Sequence, residues 1–299
     1  MKSGFVTILG KPNVGKSTLL NALVGSKVAI VSRRAQTTRD AIQGVLSEPR
    51  GQVVFVDSPG IHEPSKQLGQ RMMREVRRAT DGCHLALLMV DASLPLTDLD
   101  KRALATAKGL KAPALLLANK VDKVRNKLEL LPFLDQCRQL HAFDSFVPIS
   151  ALKRINLDRL LAEIFDKLPE APRYYPEGFV TDQPERFLAA ELIRERILRE
   201  THDEIPHSVA IQIERWEESR RKLRIAAVVI VERNGQKAIL IGKSGEKMKQ
   251  LGTRARQSLE KRFGRSVHLK VFVKVRKNWR NKPAFVRDLD FHRILGDGQ

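Results

Sequence analysis

Gly10-Lys11-Pro12-Asn13-Val14-Gly15-Lys16-Ser17 has the spacing Gly-x-x-x-x-Gly-Lys-Ser. Residues of these types in this order hold phosphate groups. The glycines let successive backbone N–H groups turn inward around an anion, and a helix that follows adds its positive end. Lys16 is placed for the β- and γ-phosphates of a nucleotide, Ser17 for a Mg²⁺ ion, and Thr18 opens the helix behind them. The pattern acts between a strand and a helix. Residues 5–9 form an apolar run that reads as the strand, and residues 18–23 read as the first turns of the helix. The alternative is a chance glycine-rich turn.

Three further clusters follow short apolar runs. Asp57-Ser58-Pro59-Gly60 comes after residues 53–56. Its carboxylate can hold Mg²⁺, usually through water, and the Gly60 N–H can approach a γ-phosphate with no Cβ in the way. Asn119-Lys120-Val121-Asp122 comes after residues 114–118. A carboxylate there accepts both hydrogens offered by guanine N1 and N2. Adenine lacks them, so Asp122 selects guanine by leaving buried groups unpaired with the wrong base. Asn119 is expected to tie this loop to the phosphate loop, and the Lys120 stem to cover the base. Ser150-Ala151-Leu152 follows the next strand, where a backbone N–H, best that of Ala151, can donate to guanine O6. A bare Ser-Ala also suits the start of any helix. In Arg33-Arg34-Ala35-Gln36-Thr37-Thr38-Arg39 one threonine can ligate Mg²⁺ and sense the γ-phosphate through its N–H. Thr38 is preferred to Thr37 without a decisive argument, and the alternative is a basic surface loop. Lys16, Thr38 and Gly60 are the residues assigned to catalysis.

These boxes, in this order, resemble the translation-factor-related GTPases, in the branch with Gly-x-Pro-Asn-Val-Gly-Lys-Ser and Gln-Thr-Thr-Arg. Ile61 stands where many small GTPases place the glutamine that orients the attacking water, so slow intrinsic hydrolysis is expected. Asn13 matches the asparagine that helps hold K⁺ in K⁺-dependent relatives, which implies K⁺ stimulation. A turn residue bonding locally is the equal alternative.

The elements that must position these residues alternate. Strands are expected at 5–9, 52–56, 85–90, 114–118 and 146–149, and helices at 17–24, 68–80, 98–109, 127–141 and 156–168. Alternation of this kind predicts a mostly parallel sheet covered on both faces. Residues 41–46 precede Glu48-Pro49-Arg50-Gly51, a hairpin pattern that predicts one antiparallel edge strand. Three prolines and a glycine between Leu168 and Gly178 end the pattern. The expected organisation is an α/β domain at 1–172, a linker at 173–185 and a second, α+β domain at 186–299.

A chain of 299 residues suits two domains. Its cysteines, Cys83 and Cys137, form no Cys-x-x-Cys pair, and the histidines show no metal-ligand spacing, so a reducing cytosol is expected. No signal peptide or membrane-spanning run is read. The net charge of +20 points to a polyanionic partner. Residues 233–287 hold 17 basic residues against Glu246 and Glu260, which favours nucleic acid over a membrane surface.

That basic segment contains Gly242-Lys243-Ser244-Gly245 between two helical stretches, 236–241 and 246–262. Before it come a helix at 186–199 and strands at 209–213 and 225–231; after it comes an alternating strand at 269–275. Helix, strand, strand, helix, Gly-x-x-Gly, helix, strand resembles a type II KH domain. The resemblance implies that Gly242 and Gly245 let the backbone lie close to single-stranded RNA phosphates while an apolar groove takes about four bases. Lys243, Ser244, Lys247 and Lys249 are then expected near the RNA backbone. Ile239, Ile241 and Met248 are candidate groove walls, though each also reads as core.

The pair, an α/β P-loop GTPase domain followed by a type II KH domain, resembles the Era family of ribosome-assembly GTPases over nearly the whole chain. The resemblance implies GTP/GDP and Mg²⁺ as ligands, with the 3′ region of 16S rRNA and the 30S subunit as partners. It also implies a cytoplasmic monomer with some peripheral membrane contact. Ser58 departs from the family's usual threonine, and the tail 285–299 matches poorly. The rival readings are another RNA-directed GTPase, such as one serving tRNA modification, and an RNA-binding protein with a non-hydrolysing nucleotide domain.

Overall fold

The structure is a computed structural model and describes residues 1–289 apart from 33, 35, 65 and 202–204. Arg33 and Ala35 of the basic loop, and the tail beyond 289, therefore lie outside the described residues. The chain divides into two compact units: the first runs to Asp182, and the second is built mainly from Gln183 onward.

The first unit is a six-stranded sheet in the order β2-β3-β1-β4-β5-β6. Its strands are β1 (Lys2–Leu9), β2 (Ile42–Glu48), β3 (Gly51–Asp57), β4 (Leu85–Asp91), β5 (Ala114–Asn119) and β6 (Ser145–Pro148). All neighbours run parallel except β2, which lies antiparallel on β3 at the edge. β3, β4 and β5 are buried along their whole length, as apolar runs covered on both faces should be. Helices α1 (Lys16–Val24), α2 (Gln67–Thr80), α3 (Asp98–Ala105), α4 (Leu130–Leu140) and α5 (Leu157–Lys167) cover it. Alternate residues of one strand serve the two cores. Ile8, Leu87 and Leu117 belong to one, with Leu19 and Leu160, while Leu9, Leu88 and Leu116 belong to the other, with Leu104 and Cys137.

The helices expected at 98–109 and 127–141 are each shorter, with a 3₁₀ turn over Thr106–Gly109 and over Lys127–Glu129. The expected linker is not free of the first unit. Gln52 accepts from the backbone N–H groups of Tyr174 and Tyr175, Val45 N–H donates to Val180, and the Thr181 hydroxyl donates to Gln43. A proline-rich composition reads as a spacer. The backbone groups of an edge strand give it partners instead.

The second unit contains α6 (Glu185–Glu200), α7 (Ile205–Ser208), β7 (Ala210–Glu218), β8 (Lys222–Val231), α8 (Asn234–Ile241), α9 (Glu246–Phe263), β9 (Ser266–Val275) and α10 (Pro283–Asp288). Its sheet has the order β7-β8-β9, with β7 antiparallel and β9 parallel to β8. Leu223, Ile225, Ala227 and Val229 of β8 pack with Ile193 of α6 and with Leu251, Ala255 and Leu259 of α9.

Candidate nucleotide site and nucleic-acid groove

The phosphate loop joins β1 to α1 at the carboxyl end of the sheet. Asn13 and Gly15 both hold positive φ, 66° and 112°. At Gly15 an added Cβ would sit 2.4 Å from the Asn119 amide nitrogen, so only glycine allows the approach. Lys16 is 6% exposed, and its ammonium donates to the carbonyls of Gly10 and Lys11, each at 3.1 Å. It curls over the loop's own carbonyls. Burial lowers its pKa to about 8, against the opposing pull of Asp57.

Ser17, Thr38 and Asp57 converge. The Ser17 hydroxyl donates to Asp57 Oδ2 at 2.5 Å and lies 2.9 Å from the Thr38 hydroxyl. Thr38, not Thr37, is thus the threonine brought to Ser17 and Asp57. Asp57 is fully buried, and its Oδ1 has no hydrogen-bond partner among the described residues. Burial raises its pKa to about 6, although Lys16, Ser17 and Thr38 favour the charged form. Two hydroxyls, a buried carboxylate and an unmatched carboxylate oxygen fit a hard divalent cation that prefers oxygen ligands.

Gly60 lies against the phosphate loop, where a Cβ would meet backbone atoms of Pro12 at 2.8 Å. Ile61 N–H donates to Gly10 at 3.1 Å, and the Ile61 side chain turns into the core with Leu9 and Leu88. Ser58 points away as well. Its hydroxyl donates to the Ile8 carbonyl at 2.8 Å and fastens β3 to β1, so its side chain is not offered to a ligand. Lys11 also contributes only its backbone: its ammonium pairs with Asp100 at 2.5 Å, at the start of α3. The Val14 side chain is core, and Pro59 is buried beside Gly60.

The base-selecting loops are fastened by side chains. The Asn119 amide donates to Val14 at 2.7 Å and its oxygen accepts from Ala151 N–H at 2.9 Å, joining three loops. Ser150 donates to Asp122 Oδ1 at 2.5 Å, which orients that carboxylate. Asp122 itself is exposed, and Leu152 is 70% exposed beyond it. The Lys120 ammonium bonds the Asn13 carbonyl at 2.9 Å and Asp91 at 2.5 Å. Sequence reasoning does not single out Asp91. Its position at the end of β4, one strand from Asn119, is the available signal.

In the second unit Gly242 and Gly245 take positive φ, 72° and 81°, and Lys243 and Ser244 stand exposed between them. A Cβ on Gly242 would meet the Lys247 Cβ at 2.6 Å. Beside this turn runs a groove of about 730 Å³ between α9 and β9. Of the candidate groove walls, Ile241 and Met248 line it, and Gly245 and Lys249 line it too. Ile239 does not: it is 49% exposed, and two residues from Ile241 it lies on another side of α8. Gly252, Thr253 and Arg256 also line the groove and escape the sequence reading, although they continue the helical spacing from Met248.

A family model described as a 50S ribosome-binding GTPase matches residues 5–120, and a KH domain model matches residues 204–280. Fold and site define a P-loop GTPase joined to a KH domain. The curated GTPase Era of Heliobacterium modesticaldum is 46% identical over 97% of both chains. A crystal structure of Era in complex with MgGDPNP and nucleotides 1506–1542 of 16S ribosomal RNA is 41% identical. It covers 97% of this chain and 99% of its own, with a TM-score of 0.94. A variant of Aquifex aeolicus Era bound to GDP·AlF4⁻ is 40% identical over 97% and 99%, with a TM-score of 0.93. The chain belongs to the Era family of GTPases.

Proposed function

We propose that this GTPase binds the 3′ region of 16S rRNA through its KH unit and uses its GTP cycle to time assembly of the 30S subunit and rRNA maturation. The observation that carries the reading is one chain bearing both a guanine-type nucleotide site and a basic groove beside a Gly-x-x-Gly turn. The similar Era structure with MgGDPNP and 16S rRNA nucleotides supports it.

Lys16 would release the loop carbonyls to hold the β- and γ-phosphates, and the loop N–H groups would cradle the rest. Ser17, Thr38 and Asp57 would hold Mg²⁺, which supplies charge neutralisation across the phosphates. The Thr38 and Gly60 N–H groups would meet the γ-phosphate, and Asp122 and Ala151 would read guanine. With Ile61 in the core, no side chain at that position orients water, so turnover is slow without a partner. Asn13 would hold a K⁺ ion at the loop's exposed rim. Lys243, Lys247 and Lys249 would meet the RNA backbone, and Ile241 and Met248 the bases. Nucleotide would fix the chain around Thr38 and Gly60 and so bias how the groove is presented. In this reading the protein is a cytoplasmic monomer with at most peripheral membrane contact; no helix among the described residues is long and apolar enough to cross a membrane.

The test is GTP turnover and RNA affinity on one preparation. Turnover is expected to be slow in Na⁺ and several-fold faster in K⁺. Affinity for RNA of nucleotides 1506–1542 is expected to differ between GTP-analogue and GDP states. Equal affinities would sink the coupling, and no turnover with either salt and precursor subunits would favour a dead nucleotide domain.

A further inference from the structure

The groove uses one face of the sheet in the second unit. Odd positions of β8, from Leu223 to Val229, pack into the core. Even positions Lys222, Arg224 and Ala226 therefore face the other way. The strand register sets that face in rows: Glu217, Arg224 and His268, then Arg215, Ala226 and Lys270. The register of β7 shifts between Ile213 and Arg215, and this irregularity turns Arg215 to the same face as Arg224. Ala226 is short, so the centre of its row sinks. The result is a hollow of about 510 Å³ lined by Arg215, Lys222, Arg224, His268 and Lys270. Glu217 lies 2.5 Å from Arg215 and 3.9 Å from Arg224, and so holds both guanidinium groups at the rim.

We propose that this hollow is a second RNA site, which takes the phosphate backbone of the stretch that leaves the groove over β9. The proposal rests on the reading of the groove as an RNA site. Two observations choose RNA. First, four permanent cations face one carboxylate, and the carboxylate already serves two of them. Second, β9 is an edge strand and a wall common to both features. Its Leu269, Val271 and Val273 line the groove, and its His268 and Lys270 line the hollow. A strand passing over that edge meets Phe272, whose side chain is 53% exposed and offers a base a stacking surface. It then meets Lys270. An anionic lipid surface suits the charge but not the shape. The hollow is concave, and its apolar lining residues Ile225 and Val267 are buried, so the hollow itself has nothing to insert into a bilayer.

The test uses the full chain, RNA of nucleotides 1506–1542 of 16S rRNA, and nested pieces of it down to about six nucleotides, which fill little more than the groove. The triple variant Lys222→Ser, Arg224→Ser, Lys270→Ser removes exposed charges, and Lys270→Ser alone serves as a milder second variant. The triple variant is expected to lose about 10-fold or more in affinity for the long RNA, with a salt slope lower by roughly 2–3. It should bind the shortest tight-binding piece within about twofold of the parent, at unchanged melting temperature. Equal losses on long and short RNA, or no loss on either, would overturn the proposal. So would lost binding to phosphatidylglycerol vesicles with RNA binding intact, which would assign the hollow to membrane. If the unaltered chain binds none of these RNAs, the groove reading itself fails and this one falls with it.

Discussion

Asp57 and Lys16 are charged groups held where water cannot reach them, and each is shifted toward its neutral form. The folded pKa of Asp57, about 6, lies above its ordinary value of 3.8. Between those values the folded chain binds more protons than the unfolded one, so stability falls as pH rises and the cost is complete above about 6. Lys16 is the converse: its folded pKa of about 8 lies below 10.5, so its cost is complete below 8 and is relieved as pH rises toward 10.5. The nucleotide-free protein should therefore carry its largest penalty from this pair between about pH 6 and 8, of order 3 kcal/mol per group at most. Bound nucleotide and Mg²⁺ supply the missing partners. Melting curves across pH should show the dip without nucleotide, a flatter profile with it, and no such dip in the double variant Asp57→Asn, Lys16→Met. A double variant that tracks the parent would remove the pair as the cause.

At the scale of elements, Gly252 separates stability from binding. It sits inside α9, where glycine costs about 0.5–1 kcal/mol relative to alanine. A Cβ there would meet nothing within 4 Å, because the space beside it is the groove. Gly252→Leu should raise the melting temperature of the second unit while lowering RNA affinity roughly 10-fold or more, with GTP binding unchanged. Unaltered RNA affinity would show that bases do not occupy that part of the groove. Gly252 also marks where sequence reading stops. Periodicity locates the helix, and the Gly-x-x-Gly turn locates the groove's head. Which face of α8 borders the groove depends on β9, which comes only after the whole of α9, and so the string alone does not separate Ile239 from Ile241. The nucleotide site is more legible because most of its loops follow directly on a strand end, where order along the chain maps onto position. What stays hidden there is side-chain direction. Ser58 fastens β3 to β1, and Lys11 reaches back to Asp100. Both look like ligands in a linear string.

For the whole molecule, the point at which the first unit ends decides what can be separated. Composition places the boundary at the prolines after Leu168, but the hydrogen bonds run to Thr181. Tyr174 packs edge-on against Phe5 with ring centroids 4.7 Å apart, and Tyr175 stacks on Phe179 at 4.5 Å. The Tyr175 hydroxyl donates to Gln43, and Val45 N–H to Val180, so the segment covers the exposed edge of β2. Ending the chain at residue 172 would strip these bonds and the Tyr174–Phe5 contact from the first unit, together with the Tyr175–Phe179 stack inside the segment. At about 1 kcal/mol for each neutral hydrogen bond, and somewhat less for each aromatic pair, the loss is of order 3–5 kcal/mol. That is a large part of the stability of an ordinary domain. Residues 1–182 should therefore fold alone and bind GDP, while residues 1–172 should melt about 10 °C lower or aggregate through the uncovered edge. Equal melting temperatures for the two pieces would mean that the segment rests on the domain without stabilising it, and the boundary would return to the prolines.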